Sequence, residues 1–269
     1  MTEARQTVRI LRHAALSGFR DTLASVYTWW SWGFGLVGRL LAQVAFFATL
    51  GQLLGSPGQV EFLLVGNAVA VASASGLTVT TATVGERWNG TLPLLVASPS
   101  SPLVVLMGRG TAFVVNGLIT SLGAILVVAP LFDVSLPWTR YPALIALLVL
   151  VTLTTYTTAT FLAGVILKTP SLQRTVANVG RLVIMAFCGV NVPREFFPAA
   201  VVWMSALLPL THGLDAVREL YGAARPGVIL QHAGLEGLVL VGWLLLSLVS
   251  FRRLADAGRR DGSIVFSSG

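Results

Sequence analysis

Charge is what this chain has least of. Asp, Glu, Lys and Arg make up 11% of its 269 residues, where a soluble domain carries about 25%. Hydrophobic residues make up 55%, and the mean hydropathy is +0.79. That balance excludes a soluble protein with a large core and predicts an all-α polytopic membrane protein. At about 20 residues per span plus loops, the length leaves room for roughly six or seven helices and none for a second, soluble domain. Lysine is scarcest of the charged types: Lys168 is the only one, and it follows Leu167. A Walker loop needs Gly-Lys-Ser/Thr after a glycine-rich turn, so no ATP site of that kind exists here. Cys188 is alone, which rules out an intramolecular disulfide. His13, His212 and His232 are far apart in sequence, and only the last two could share a side of the membrane, so a structural metal site is not expected, and with no paired nucleophile and base neither is a catalytic residue. The net charge of +7 comes from residues scattered at span ends rather than from a basic, aromatic-rich surface, so nucleic acid is not an expected partner.

What is present is a series of long apolar segments. Residues 1–27 read as an interfacial helix. Val8, Leu11, Ala15, Phe19 and Val26 recur every three or four positions beside a strip of Arg5, Arg9, Arg12 and Arg20. The same arginines, with Asp21, break the first apolar stretch, so a cleavable signal peptide is not expected. Tyr27, Trp29, Trp30 and Trp32 follow as an interfacial aromatic belt. Six spans are predicted, at about 34–54, 62–84, 104–131, 141–167, 176–192 and 228–251. The second is rich in small and hydroxylated residues, which suit close helix approach. Threonines between Thr152 and Thr160 in the fourth are expected to bond back to their own helix.

Residues 193–221 do not read as a span. Pro193, Pro198 and Pro209 interrupt them, and neither half is long enough to cross. Two short helices broken at Pro209 and dipping into the outer leaflet fit better. Asp215 and Arg218 are three apart and able to pair on one helix face. Six spans put both termini on one side. Thirteen basic residues, from Arg5 to Arg260, fall on that side, against Arg140, Arg194, Arg218 and Arg225 on the other. The positive-inside rule makes the richer side cytoplasmic.

One stretch between the second and third spans carries local order beyond a simple loop. In 85–102, Gly90 allows a sharp turn, Thr91 can cap a helix, and Pro93 suits its first turn. Leu92, Leu94, Leu95 and Val96 then make a stubby apolar helix closed by Pro99 and Pro102. The run Glu86-Arg87, Gly90-Thr91-Leu92, Leu95 and Ser98-Pro99 resembles the cytoplasmic coupling segment of the ABC-2 type transporter permeases, though members often carry Glu where this chain has Pro93. Phe197-Pro198, Leu208-Pro209-Leu210-Thr211 and Asp215-Ala216-Val217-Arg218 resemble the same family's outer re-entrant segment.

The resemblance extends over essentially the whole chain, 1–269, as a single transmembrane domain. It implies a non-catalytic permease subunit of an exporter in a bacterial cell membrane. Two copies, identical or related, would each sit on one ATPase subunit, which holds the ATP and Mg. It implies that Glu86, Arg87, Gly90, Thr91, Leu92 and Leu95 in the coupling segment, 86–99, contact that ATPase. Pro198, Pro209, Asp215 and Arg218 would belong to the external gate. The path would be lined by the fifth span with the first and second, offering Asn67, Thr78, Asn178, Met185 and Phe187. Few buried charges suit an amphiphilic drug, antibiotic or lipid-like cargo, with a lipid-linked polysaccharide as the alternative. A proton-coupled carrier would need carboxylates at membrane depth. Glu61 and Glu236 are the nearest, and both fall in outer halves of spans.

Overall fold

The computed structural model describes residues 2–25, 38–88, 90–91, 102–166 and 169–261. The described residues are helical with short connections. Helix α1 spans Thr2–Ser25, α2 Gly38–Leu53, α3 Pro57–Leu77 and α4 Val79–Trp88. Helix α5 spans Pro102–Gly123 and runs on through a π turn, Ala124–Val128, into a 3-10 turn, Ala129–Phe132. Then come α6 (Tyr141–Ile166), α7 (Gln173–Phe187), α8 (Ala199–Ser205), α9 (Thr211–Tyr221) and α10 (Pro226–Asp261). Four helical stretches among the described residues are long and apolar enough to cross a membrane: Pro57–Leu77, Leu103–Phe132, Trp138–Ile166 and Pro226–Arg253. The first and fifth predicted spans, α2 and α7, are shorter, and residues 26–37 before α2 lie outside the described set.

Helix α3 is the axis of the bundle. From Leu63 onward it is buried on nearly every side, as a helix surrounded by others must be, and it packs against α2, α5, α6, α7 and α9. Small residues set those approaches. A Cβ on Gly117 would stand 2.9 Å from the Ala72 carbonyl oxygen, and one on Gly76 3.3 Å from Thr155. Hydroxyls then bond across helices to backbone oxygens: Ser121 to Ala68 at 2.8 Å, Ser247 to Thr157 at 2.9 Å, and Tyr156 to Met107 at 2.5 Å. Such bonds hold apolar helices together where no hydrophobic force between them exists. The threonine run behaves as expected. Thr152, Thr154, Thr155, Thr158 and Thr160 each donate to the carbonyl four residues back.

The contacts define two ends of the bundle. At one, Val84, Leu103, Leu106, Ile166 and Phe251 form a small core with Val176 packed on it. This joins the end of α4, the start of α5, the end of α6, the start of α7 and the end of the apolar part of α10. Helix α1 docks there too. Gly18 would put a Cβ 2.2 Å from the Arg109 carbonyl oxygen, Gly108 would put one 2.5 Å from Ala14, and Asp21 pairs with Arg109 at 2.6 Å. The seam of α1 is therefore Ala14 and Gly18, while Val8 and Leu11, expected to lead its apolar stripe, are exposed. At the other end, Arg140 donates to the Leu220 carbonyl at 2.8 Å, and Arg218 to those of Phe62 and Val190 at 3.3 and 3.2 Å. Successive long helices therefore run in alternating directions.

Three boundaries differ from the sequence expectation. The second span starts at Pro57 and is broken at Thr78, whose hydroxyl and N–H both turn back to Ser75. The fifth ends at Phe187 rather than 192, because Gly189 adopts φ 80°, a left-handed value that stops the helix. The last continues as helix to Asp261. The stubby helix predicted after Thr91 falls on residues 92–100, outside the described set.

Candidate functional site

Three groups of residues carry the polar chemistry of the bundle. The first is at the tip where α8 meets α9. The chain turns there through Leu210 with φ 83°, a conformation costing a non-glycine residue about 1–3 kcal/mol. Glu236 on α10 holds the turn. Its two carboxylate oxygens accept the N–H groups of Leu210 at 3.0 Å and Gly213 at 2.9 Å, and the side chain is wholly buried. These are orphan donors of the first turn of α9, and a carboxylate at a helix N-terminus also meets the positive end of its dipole. Hydrogen bonds to a charged group contribute about 1.5–3 kcal/mol each, enough to offset the strained turn. Trp243, seven residues further along α10, donates to the Leu207 carbonyl at 3.0 Å. The tip thus contacts α10 over two turns, from Glu236 to Trp243. Sequence reasoning flagged Glu236 only as a proton-carrier candidate and missed it as a clamp. A lone acid in an otherwise apolar helix was the available signal.

Around that tip the expected outer-gate residues take distinct places. Pro209 is buried directly before the strained turn, and Pro198 is exposed at the start of α8. Asp215 and Arg218 do not form the pair that their spacing allowed. Asp215 is taken by Arg194, which arrives from the loop after α7. Arg218 instead lies over the Phe62 ring at 3.6 Å while donating to two carbonyls. The planar guanidinium serves an aromatic face and several acceptors at once, and that outweighs a single helix-face pair. Burial lowers the Arg218 pKa to about 10, and neighbouring Asp215 opposes the shift. Gly66 leaves room for Arg218: a Cβ there would lie 2.9 Å from the guanidinium and 2.4 Å from the Val190 carbonyl oxygen.

The second group is a hydrogen-bonded chain across three elements. Arg181 on α7 donates to Gln43 on α2 at 2.6 Å, and Gln43 donates to Asn67 on α3 at 3.4 Å. The Asn67 amide donates to Asn191 and to the Leu63 carbonyl, both at 2.9 Å. Asn67 is fully buried, so it anchors the chain from behind. Asn178 is exposed and Met185 half-buried on the same side of α7 as Arg181. Phe187 is elsewhere, with its ring 5.8 Å from Phe197, and Thr78 is exposed at the helix break. The structure thus gathers Asn178, Met185 and, through Arg181, Asn67, but not Phe187. The opposite side of α7 borders a cavity of about 330 Å³ lined by Leu77, Leu162, Val176, Val183 and Trp243, with almost no polar surface.

The third group is the expected coupling segment. Helix α4 ends at Trp88, and Gly90 takes φ 69°, which only glycine adopts freely. Glu86 and Arg87 lie in the last turn of α4. Thr91 is half-buried, and Leu92 and Leu95 lie outside the described residues.

A bundle with four described helical stretches long and apolar enough to cross a membrane, and polar groups bonded across its interior, defines a multi-pass α-helical membrane protein. The family model for the ABC-2 family transporter protein matches residues 44–249, and the chain belongs to that family. Searches of curated proteins and of solved structures find no match. Family membership makes the chain a membrane component of an ABC transporter and implies association with an ABC ATPase subunit.

Proposed function

We propose that the chain is the permease of an exporter that moves an amphiphilic drug, antibiotic or lipid-like molecule out of a bacterial cell. Two copies would form the path, each driven by a separate ATPase subunit. The observation that carries the cargo class is the division made by α7. One side bears Arg181 with the Gln43–Asn67–Asn191 chain, and the other borders an almost wholly apolar cavity. A molecule with a polar head and an apolar body finds both chemistries around one helix. Pockets for such ligands combine mostly apolar walls with a few placed polar groups. In this reading all six predicted spans cross, with α2 and α7 as the first and fifth. Asn178 and Met185 face the path, and Thr78 and Phe187 stand at its edges. Pro198, Pro209, Asp215 and Arg218 shape the outer closure.

Force would enter through 86–99. Glu86, Arg87, Gly90, Thr91, Leu92 and Leu95 would meet the ATPase, and ATP-driven closure would tilt α4 and α5 about the break at Thr78. The left-handed turn at Gly90 supports this reading, because it fixes how the segment leaves α4. Two variants test it in reconstituted complex: Glu86→Arg, which inverts a charge, and Gly90→Val, which puts a β-branched residue at positive φ. Both are expected to insert normally yet lose cargo-stimulated ATP hydrolysis and export. Unchanged rates in both would refute the coupling role.

A further inference from the structure

The outer half of the bundle brings together two histidines that the sequence keeps twenty positions apart. His212 on the first turn of α9 and His232 on the second turn of α10 stack with ring centroids 6.4 Å apart. Asp215, one turn after His212, lies 3.9 Å from His232 Nδ1. One ligand atom from each of the three lies within 4.8 Å of the other two. We infer that His212, Asp215 and His232 form a binding site for a divalent transition metal of the zinc type, pinning the re-entrant helix α9 to α10.

The protonation pattern supports it. His212 Nε2 lies 3.1 Å from the Ala206 carbonyl, so it carries the proton and donates. That leaves the Nδ1 lone pair free, and this atom is buried without a partner. A metal-binding imidazole typically has its other nitrogen fixed to a backbone carbonyl in this way. His232 Nδ1 is also buried without a hydrogen bond. His232 Nδ1, 3.9 Å from the Asp215 carboxylate, and His212 Nδ1 both lack a partner, a desolvation cost that a metal ion would remove. Two nitrogens, one oxygen and an open fourth position form a donor set zinc accepts, with bonds of about 2.0–2.2 Å. Those bonds require ligand atoms about 3.3 Å apart, so the side chains need shift only modestly. Arg194 already shares Asp215, and Arg218 stands nearby on α9. Zinc must compete with these cations, which makes the site exchangeable rather than permanent.

The test uses the full chain purified in detergent with a histidine-free affinity tag and stripped by chelator. Calorimetric titration with zinc chloride should find one ion per chain and a melting temperature that rises with zinc. His212→Gln, His232→Gln and Asp215→Asn should each weaken binding at least tenfold, and His13→Gln should leave it unchanged. Cobalt should give the visible absorption of a four-coordinate site with nitrogen ligands. That spectrum decides the matter on the unaltered chain if a variant does not fold. No zinc uptake and no such spectrum, or equal affinity in a folded His212→Gln/His232→Gln double variant, would overturn the inference.

Discussion

Glu236 shows how one residue can be expensive and still stabilise the chain. Removing a carboxylate from water costs several kcal/mol unless hydrogen bonds meet its charge. Here both oxygens receive backbone N–H groups that would otherwise be orphaned at the start of α9. Glu236→Leu leaves those two N–H groups buried without an acceptor and should therefore lower stability by about 1–3 kcal/mol for each. Glu236→Gln keeps one acceptor and should cost less. Thermal unfolding in detergent, followed by tryptophan fluorescence, ranks the two. Equal melting temperatures for Glu236→Leu and the parent chain would show that the turn at Leu210 holds without its clamp. The residue was visible in the sequence, but its partners were not. They are backbone groups 23 and 26 positions earlier, and no periodicity reports a main-chain contact at that range.

At the scale of the element, α7 separates polar from apolar surroundings, and its polar side is tied to α2 and α3 through Asn67. Replacing Asn67 by Leu strands the Asn191 carbonyl and a Gln43 N–H, at a cost of about 1–3 kcal/mol. Arg181→Leu removes the member of the chain nearest the open side and leaves Asn67 satisfied. The two variants should separate: Asn67→Leu lowering the melting temperature with cargo selectivity kept, Arg181→Leu altering efflux with the fold kept. A loss of stability in both, with normal transport, would make the whole chain packing. Four of the six expected spans coincide with described helices long and apolar enough to cross, and were legible because twenty apolar residues leave few alternatives in lipid. The breaks at Thr78 and after Phe187 were not. The second depends on the positive φ of Gly189, a residue type that could equally have served helix packing, as Gly76 and Gly117 do, and the first on a local turn of Thr78 back to Ser75. Asp215 and Arg218 were misread for a related reason: spacing shows which residues can meet, but Arg194 and the Phe62 ring decided which did.

For the whole molecule, the alternation of helix directions sorts the arginines between two ends. Arg109 lies by the small core of Val84, Leu103, Ile166 and Phe251, with Arg252 and Arg253 just past Phe251, while Arg140, Arg194 and Arg218 stand at the other end. Basic residues near span ends bias them towards the cytoplasm, so the first end should face inward. That orientation would put the Gly90 turn within reach of a cytoplasmic ATPase and the α8–α9 tip outside. Two exposed positions at opposite ends make the test, Ser135 and Thr169. In a Cys188→Ala background, which removes the chain's one thiol, cysteine at residue 135 should react with a membrane-impermeant maleimide in intact cells. Cysteine at residue 169 should react only after the membrane is opened. Labelling in the reverse pattern would invert the molecule and put the coupling segment beyond the reach of any cytoplasmic ATPase. Labelling of both in intact cells would mean that α6, which joins them, does not cross.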